Sequence, residues 1–173
     1  MILGTGCGGG LVIDGKLIHG ANGIAGEWGH NPLPWPSTEE LKQAPRCWYG
    51  QQGCQETWIS GSGLQRDFFE AAGVRATSEE IVAAFRRGEP LAVAALKRYI
   101  GRLARSLAAV VNLIDPYAIV LGGGMANIDE LCDRLPSLIR RHVFSDAWIT
   151  WISKARWGDS SGVRGAARLL AND

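Results

Sequence analysis

The chain has 173 residues, 46% of them hydrophobic, which is enough to bury one good core. Its net charge is +1 and its Lys and Arg residues are scattered, so no global field draws nucleic acid or an anionic membrane. No apolar run approaches a membrane span, Met1-Ile2-Leu3-Gly4 lacks the basic and apolar regions of a signal peptide, and the four Cys read as reduced thiols; a cytoplasmic protein is expected.

In chain order, Ile2-Leu3 enters the loop Gly4-Thr5-Gly6-Cys7-Gly8-Gly9-Gly10. Leu11-Val12-Ile13 and Leu17-Ile18-His19 read as strands joined by a tight turn at Asp14-Gly15-Lys16. Residues 20–34 read as irregular and 35–50 as a polar surface loop. Glu56–Ser60 and Gly63–Ala72 read as short helices broken by Gly61-Ser62-Gly63. Thr77-Ser78-Glu79-Glu80 has a capping residue followed by first-turn acids and starts a helix that stops at Gly88.

A long helix follows from Pro90 to Asp115-Pro116, with a buried face running from Leu91 to Ile114 at i, i+3/i+4 spacing. Tyr117–Leu121 is a continuous apolar run suited to a strand covered on both sides. Residues 128–142 form an amphipathic helix, with Arg134–Arg141 on its solvated face. Trp148–Lys154 reads as a strand, 158–162 as a loop, and Val163–Leu170 as a final helix. Strands alternating with helices define an α/β domain.

Four groups of residues carry possible chemistry. The glycines around Gly6, Gly8 and Gly9 let backbone N–H groups approach phosphate oxygens, and Thr5 adds a hydroxyl; the alternative is a plain hairpin loop. Gly122-Gly123-Gly124 follow a buried strand, where a base or ribose can approach backbone; the alternative is a tight strand-to-helix turn. Glu27, His30 and Glu56 can fix sugar hydroxyls, because a carboxylate accepts hydrogen bonds from neutral hydroxyls without a countercharge; each taken singly is an ordinary surface or helix residue. His30, Cys47 and Cys54 supply three of the four donors a tetrahedral zinc needs. Cys7 and Cys132 read as small buried residues.

Taken in order, these motifs resemble the ROK family (repressors, open reading frames and sugar kinases), and most closely its bacterial fructokinases. The resemblance runs through Gly4–Gly10, Asn22–His30, Asn31-Pro32-Leu33-Pro34-Trp35, Cys47–Gly61, Leu121–Gly124 and Gly158–Ala167. It implies an actin-like (ribonuclease H-like) ATPase lobe, three-layered around a central mixed sheet. It also implies MgATP as cofactor, a hexose substrate with fructose foremost, and a homodimer. Glu27, His30 and Glu56 match the family's sugar ligands; Thr5, Gly6, Gly8 and Gly9 match the phosphate loop; Gly122, Gly123 and Gly124 match the adenosine loop.

Two departures matter. The family's zinc motif is Cys-x-Cys-Gly-x-x-Gly-Cys, and Tyr49 stands here in the middle Cys position. The family's amino-terminal phosphate loop and its Asn-Asp pair, whose Asp is the general base, have no counterpart in residues 1–173. Those residues therefore read as the carboxyl-terminal lobe, inactive alone, with helix 163–170 packing on the other lobe. A sugar-sensing module of a ROK repressor and a dimerising non-catalytic remnant are the alternatives.

Overall fold

A computed structural model describes residues 1–169; Leu170, placed in the last helix by the sequence reading, lies outside the described residues. The chain opens with strands β1 (Ile2–Leu3) and β2 (Cys7–Gly8), then β3 (Leu11–Ile13) and β4 (Lys16–Ile18), each pair antiparallel. Asp14 and Gly15, both at positive φ, make the two-residue turn between β3 and β4. Helices α1 (Thr38–Lys42), α2 (Glu56–Ile59), α3 (Gly61–Ala72), α4 (Ser78–Arg86) and α5 (Pro90–Ile114) follow. The chain then forms β5 (Ala118–Leu121), α6 (Glu130–Ile139), β6 (Trp151–Lys154) and α7 (Ser161–Leu169).

The central sheet is mixed. β5 and β6 are parallel, and Ile2 bridges Gly122 in parallel at the end of β5. The Leu3 N–H donates to the Gly122 carbonyl and the Gly122 N–H to the Met1 carbonyl, both at 2.8 Å. β1 therefore continues the sheet and carries β2 on its other edge. Ile119, Leu121 and Ile152 enter the core, whereas Val120 is 46% exposed and Trp151 is exposed. Alternation of this kind marks a strand with one face covered. Among the described residues β5 is thus not covered on both faces, as its unbroken apolar run suggested.

The long helix α5 organises the core. Ala95, Leu96, Ile100, Leu103, Leu107 and Ala108 are fully buried against α3, α4 and α6. Tyr99 lies among them, and its buried hydroxyl donates to the Ile59 carbonyl at 2.9 Å. Helix starts follow local chemistry. Ser60 caps α3 through the Gly63 N–H, and Thr77 with Glu80 forms a full capping box at α4. Gly61-Ser62-Gly63 is therefore the first turn of α3 and not a break.

The polar stretch 35–50, expected as a surface loop, contains α1. Ser37 and Glu40 form a capping box there, and Glu40 also anchors the helix to the core. Arg98, Arg102 and Arg105 lie on one face of α5. Arg105 and Arg102 bond Glu40 at 2.7 and 2.9 Å, and Arg102 and Arg98 each bond Asp67 of α3 at 2.6 Å. The Arg102 side chain is only 7% exposed. It also stacks over the Trp58 ring at 4.4 Å, so α1, α2, α3 and α5 meet at one guanidinium.

Burial opposes ionisation of Glu40, but the hydrogen bonds from Arg105 and Arg102 outweigh it and hold the carboxyl at about 2, against an ordinary 4.5. A depressed folded-state pKa stabilises above the ordinary value and is lost as pH falls. The melting temperature should therefore drop between about pH 4.5 and pH 2. In Glu40→Gln that part of the drop should be missing; thermal melts of both proteins across the range check it.

Candidate functional site

The glycine-rich segment 4–10 is a tight hairpin rather than an open loop, and its contacts join the other candidate groups. The Gly61 N–H donates to the Gly4 carbonyl at 2.7 Å, and the Ser62 hydroxyl donates to the Thr5 carbonyl at 2.8 Å. The hairpin tip thus rests on the first turn of α3. The Cys7 N–H donates to Glu56 Oε2 at 3.0 Å. A Cβ on Gly6 would stand 2.8 Å from that same oxygen. The carboxylate of Glu56 therefore sits where a side chain on Gly6 would displace it, directly beside the segment read as the phosphate loop.

Glu27 and His30 reach the same region on a short 3₁₀ turn, Trp28–His30. Gly29 packs so closely on the hairpin that a Cβ there would collide with the Cys7 carbonyl oxygen. Glu27 is exposed, while His30 and Glu56 are half-buried. Burial, Glu56 and Glu27 together push the Cys7 thiol up to about 12, partly offset by the chain's amino group. Both carboxylates thus act on one point. Cys7 is an inert buried neighbour, as expected; Cys132 is only partly buried.

Residues 30–33 zip onto 53–55. The Leu33 N–H donates to the Gly53 carbonyl at 3.0 Å, the Gln55 N–H to the Asn31 carbonyl at 2.9 Å, and Pro32 bridges Cys54. This pairing sets His30 beside Cys54. Donor atoms of His30, Cys47 and Cys54 lie within 4.8 Å of one another. His30 Nδ1 is buried with no hydrogen-bond partner. Burial opposes ionisation of Cys47, but the hydrogen bond with Cys54 and the Gln51, Tyr49 and Gly50 backbone outweigh it and lower its pKa. An orphaned imidazole nitrogen beside two buried thiols matches the donor types zinc takes.

Gly122–Gly124 lie on the far side of β1. Gly123 has φ +83°, and a Cβ there would collide with the Leu3 carbonyl oxygen. Leu3 is thus the shared floor between the hairpin and this second glycine segment. Beside Gly124 opens a cleft of about 470 Å³ lined by Ser78, Glu79, Val82, Arg86, Met125 and Asn127. That volume suits a nucleoside. The glycines are evident from the sequence; the α4 wall opposite them and Ser62 are not. The capping box at Thr77 fixes where that wall begins, but nothing local says what it faces.

Gly6→Ala should move the Glu56 carboxylate while leaving the hairpin folded. Loss of a charged hydrogen bond to a ligand hydroxyl costs about 1.5–3 kcal/mol, so the affinity of any polyol held by Glu56 should fall by roughly tenfold or more. Titration calorimetry beside a circular dichroism melt separates this from unfolding.

A mixed sheet backed by helices, with two glycine segments meeting on one strand, defines an actin-like ATPase lobe. Residues 1–173 match the ROK family throughout, and the chain belongs to that family. It is 40% identical to an N-acetyl-D-glucosamine kinase of Yersinia pseudotuberculosis serotype O:3 (strain YPIII), over 98% of this chain and 57% of that protein. It is 42% identical to the N-acetylgalactosamine kinase AgaK of Shewanella sp. (strain ANA-3), over 98% and 55%. A ROK family glucokinase from Streptomyces griseus, solved with glucose and AMPPNP, superposes with a TM-score of 0.84 at 29% identity, covering 97% of this chain and 58% of that one. ROK hexokinase from Thermus thermophilus superposes at 0.83 with 30% identity, over 99% and 57%. The chain spans somewhat over half the length of these relatives. Among the described residues, no helix is long and apolar enough to cross a membrane.

Proposed function

We propose that this chain supplies the sugar-hydroxyl, zinc and adenosine-side elements of a cytoplasmic, ATP-dependent hexose kinase. The observation that carries the reading is the Glu56 carboxylate held on the Cys7 amide, where a side chain on Gly6 would push it aside. It fixes a hydroxyl acceptor against the segment assigned to phosphate. Phosphoryl transfer depends chiefly on such positioning and on charge stabilisation.

In this reading Glu27 and Glu56 accept hydrogen bonds from the hexose hydroxyls, His30 donates to one through the ring N–H not used by the metal, and together they orient the ring. Backbone N–H groups at Gly6, Gly8 and Gly9, with the Thr5 hydroxyl, face the phosphates of MgATP. Gly122, Gly123 and Gly124 with the α4 wall hold the adenosine. Zinc, bound by His30, Cys47 and Cys54, supplies structural cross-linking between segments 30–33 and 47–56. Magnesium supplies charge neutralisation at the phosphates. One Glu56 oxygen already accepts from a backbone amide, which suits a fixed hydroxyl binder better than a mobile proton acceptor. We therefore assign no general base to residues 1–173 and treat them as one lobe, with α7 docking on another. Val163 on α7 and Trp151 on the sheet are exposed, which suits that docking and a homodimer.

Fructose is the sugar the sequence wording favours. The names of the similar proteins add glucose, N-acetylglucosamine and N-acetylgalactosamine to the panel. The test is equilibrium dialysis of the 173-residue polypeptide against Mg-AMPPNP and each sugar, with a coupled assay for turnover. Binding of both ligand classes without turnover is expected. Turnover by the polypeptide alone overturns the assignment of the base elsewhere. Sugar binding without nucleotide binding replaces the kinase reading with a sensor.

A further inference from the structure

The metal position departs from a closed four-ligand site in a way that gives it a chemistry of its own. Among the described residues, His, Cys, Asp and Glu side chains bring together three donors, from His30, Cys47 and Cys54, and no fourth. Cys47 and Cys54 are buried, and His30 Nδ1 is buried without a partner. Tyr49, two residues beyond Cys47, is 68% exposed, and Trp48 beside it is exposed too. Their rings meet edge-on at 5.9 Å, and the Trp48 ring meets His30 in the same manner at 5.9 Å. The Tyr49 ring lies 6.4 Å from the His30 ring, tilted, and belongs to an exposed aromatic group beside the position.

We infer that zinc here keeps a fourth coordination position open to solvent, taken by water and exchangeable for a small thiol. The inference rests on the zinc reading above and specifies how that site is completed. Three protein ligands with an open position are the arrangement in which zinc keeps an exogenous ligand, whereas structural sites use four. Two thiolates and a neutral imidazole bring the zinc complex to zero net charge, so an incoming thiolate meets no excess of negative charge. A soft anionic donor suits a site already built on sulfur. In the exchange the thiol binds as thiolate, its proton passes to the buffer, and the water leaves. The consequence lies close by: Cys54 is two residues from Glu56, so metal held with one labile position couples the sugar carboxylate to metal and thiol supply.

The test uses Co(II) in place of zinc and reads the absorption spectrum, which reports thiolate number and coordination geometry without any turnover. One Co(II) per chain with the charge-transfer intensity of two thiolates is expected. Adding 2-mercaptoethanol should raise that intensity by about half and shift the ligand-field bands. Tyr49→Phe should leave both spectra unchanged. Tyr49→Cys should show three thiolates without added thiol, lose the response to it, and bind zinc at least tenfold more tightly in chelator competition. A wild-type spectrum that ignores added thiol, or that changes in Tyr49→Phe, means an endogenous fourth ligand; it overturns the inference and leaves the zinc reading standing. No Co(II) or zinc uptake overturns both. Circular dichroism shows whether each variant is folded, and Tyr49 is exposed enough for both replacements.

Discussion

Replacing Arg102 by Ala should destabilise the chain by about 3 kcal/mol, the lower end of the cost of breaking a buried ion pair. Arg102 is nearly fully enclosed between Glu40 and Asp67 and covers the Trp58 ring. Removing it does not leave either carboxylate wholly alone, because Arg105 still bonds Glu40 and Arg98 still bonds Asp67. The remaining partners keep the cost from reaching the top of that range. For a chain of this size about 3 kcal/mol corresponds to a melting temperature lowered by roughly 6–12 °C. Arg102→Met separates the two contributions: it keeps most of the volume over Trp58 and loses the charge. If charge pairing dominates, Met should melt close to Ala; if packing dominates, Met should recover most of the loss. Either variant should also loosen α1, and with it the segment that carries Cys47.

Gly29→Ala should be as damaging, by a different route. The added methyl would collide with the Cys7 backbone carbonyl, which cannot rotate away as a side chain can. The turn bearing Glu27 and His30 must then lift from the hairpin bearing Gly6 and Cys7. Overpacking of this kind costs about 1–3 kcal/mol and more where backbone must move. Its functional effect should exceed its effect on stability, because it separates the two halves of the proposed sugar site. Hexose binding should be lost in calorimetry while a cooperative melt survives at lower temperature. Undiminished binding in Gly29→Ala would show that the turn and the hairpin need not touch.

Much of this architecture is legible in the sequence because the signals are local. The period of α5, the capping residues of α4 and the Asp14-Gly15 turn each act within a few residues. The structure accordingly reproduces those elements with boundaries shifted by one or two positions. What escapes reading is what depends on distant partners. The stretch 35–50 looks like polar loop until Glu40 is seen to meet Arg102 and Arg105, more than sixty residues away. Tyr117–Leu121 reads as doubly buried because its composition is apolar throughout, yet Val120 faces out. The glycines at 61 and 63 look like a break, but they open α3 and let the hairpin tip lie against it.

The site divides in the same way. Residue type and spacing suffice to nominate Glu27, His30, Glu56, Cys47 and Cys54. They do not show that Gly6 lies against the Glu56 carboxylate, or that Leu3 underlies both glycine segments. Those are statements about backbone proximity across the fold, and no short motif encodes them. Tyr49 is the reverse case: the sequence shows the substitution, and the structure shows that its ring faces solvent.

The central claim is that the Glu56 carboxylate on the glycine hairpin is a hexose ligand. Saturation-transfer NMR of fructose, glucose and N-acetylglucosamine with the 173-residue polypeptide and its Glu56→Gln variant tests it most directly. Transfer to at least one sugar in the wild type, abolished in Glu56→Gln while the variant melts normally, is the predicted result. Transfer of equal strength in both proteins, or none to any sugar in a folded wild type, contradicts the account.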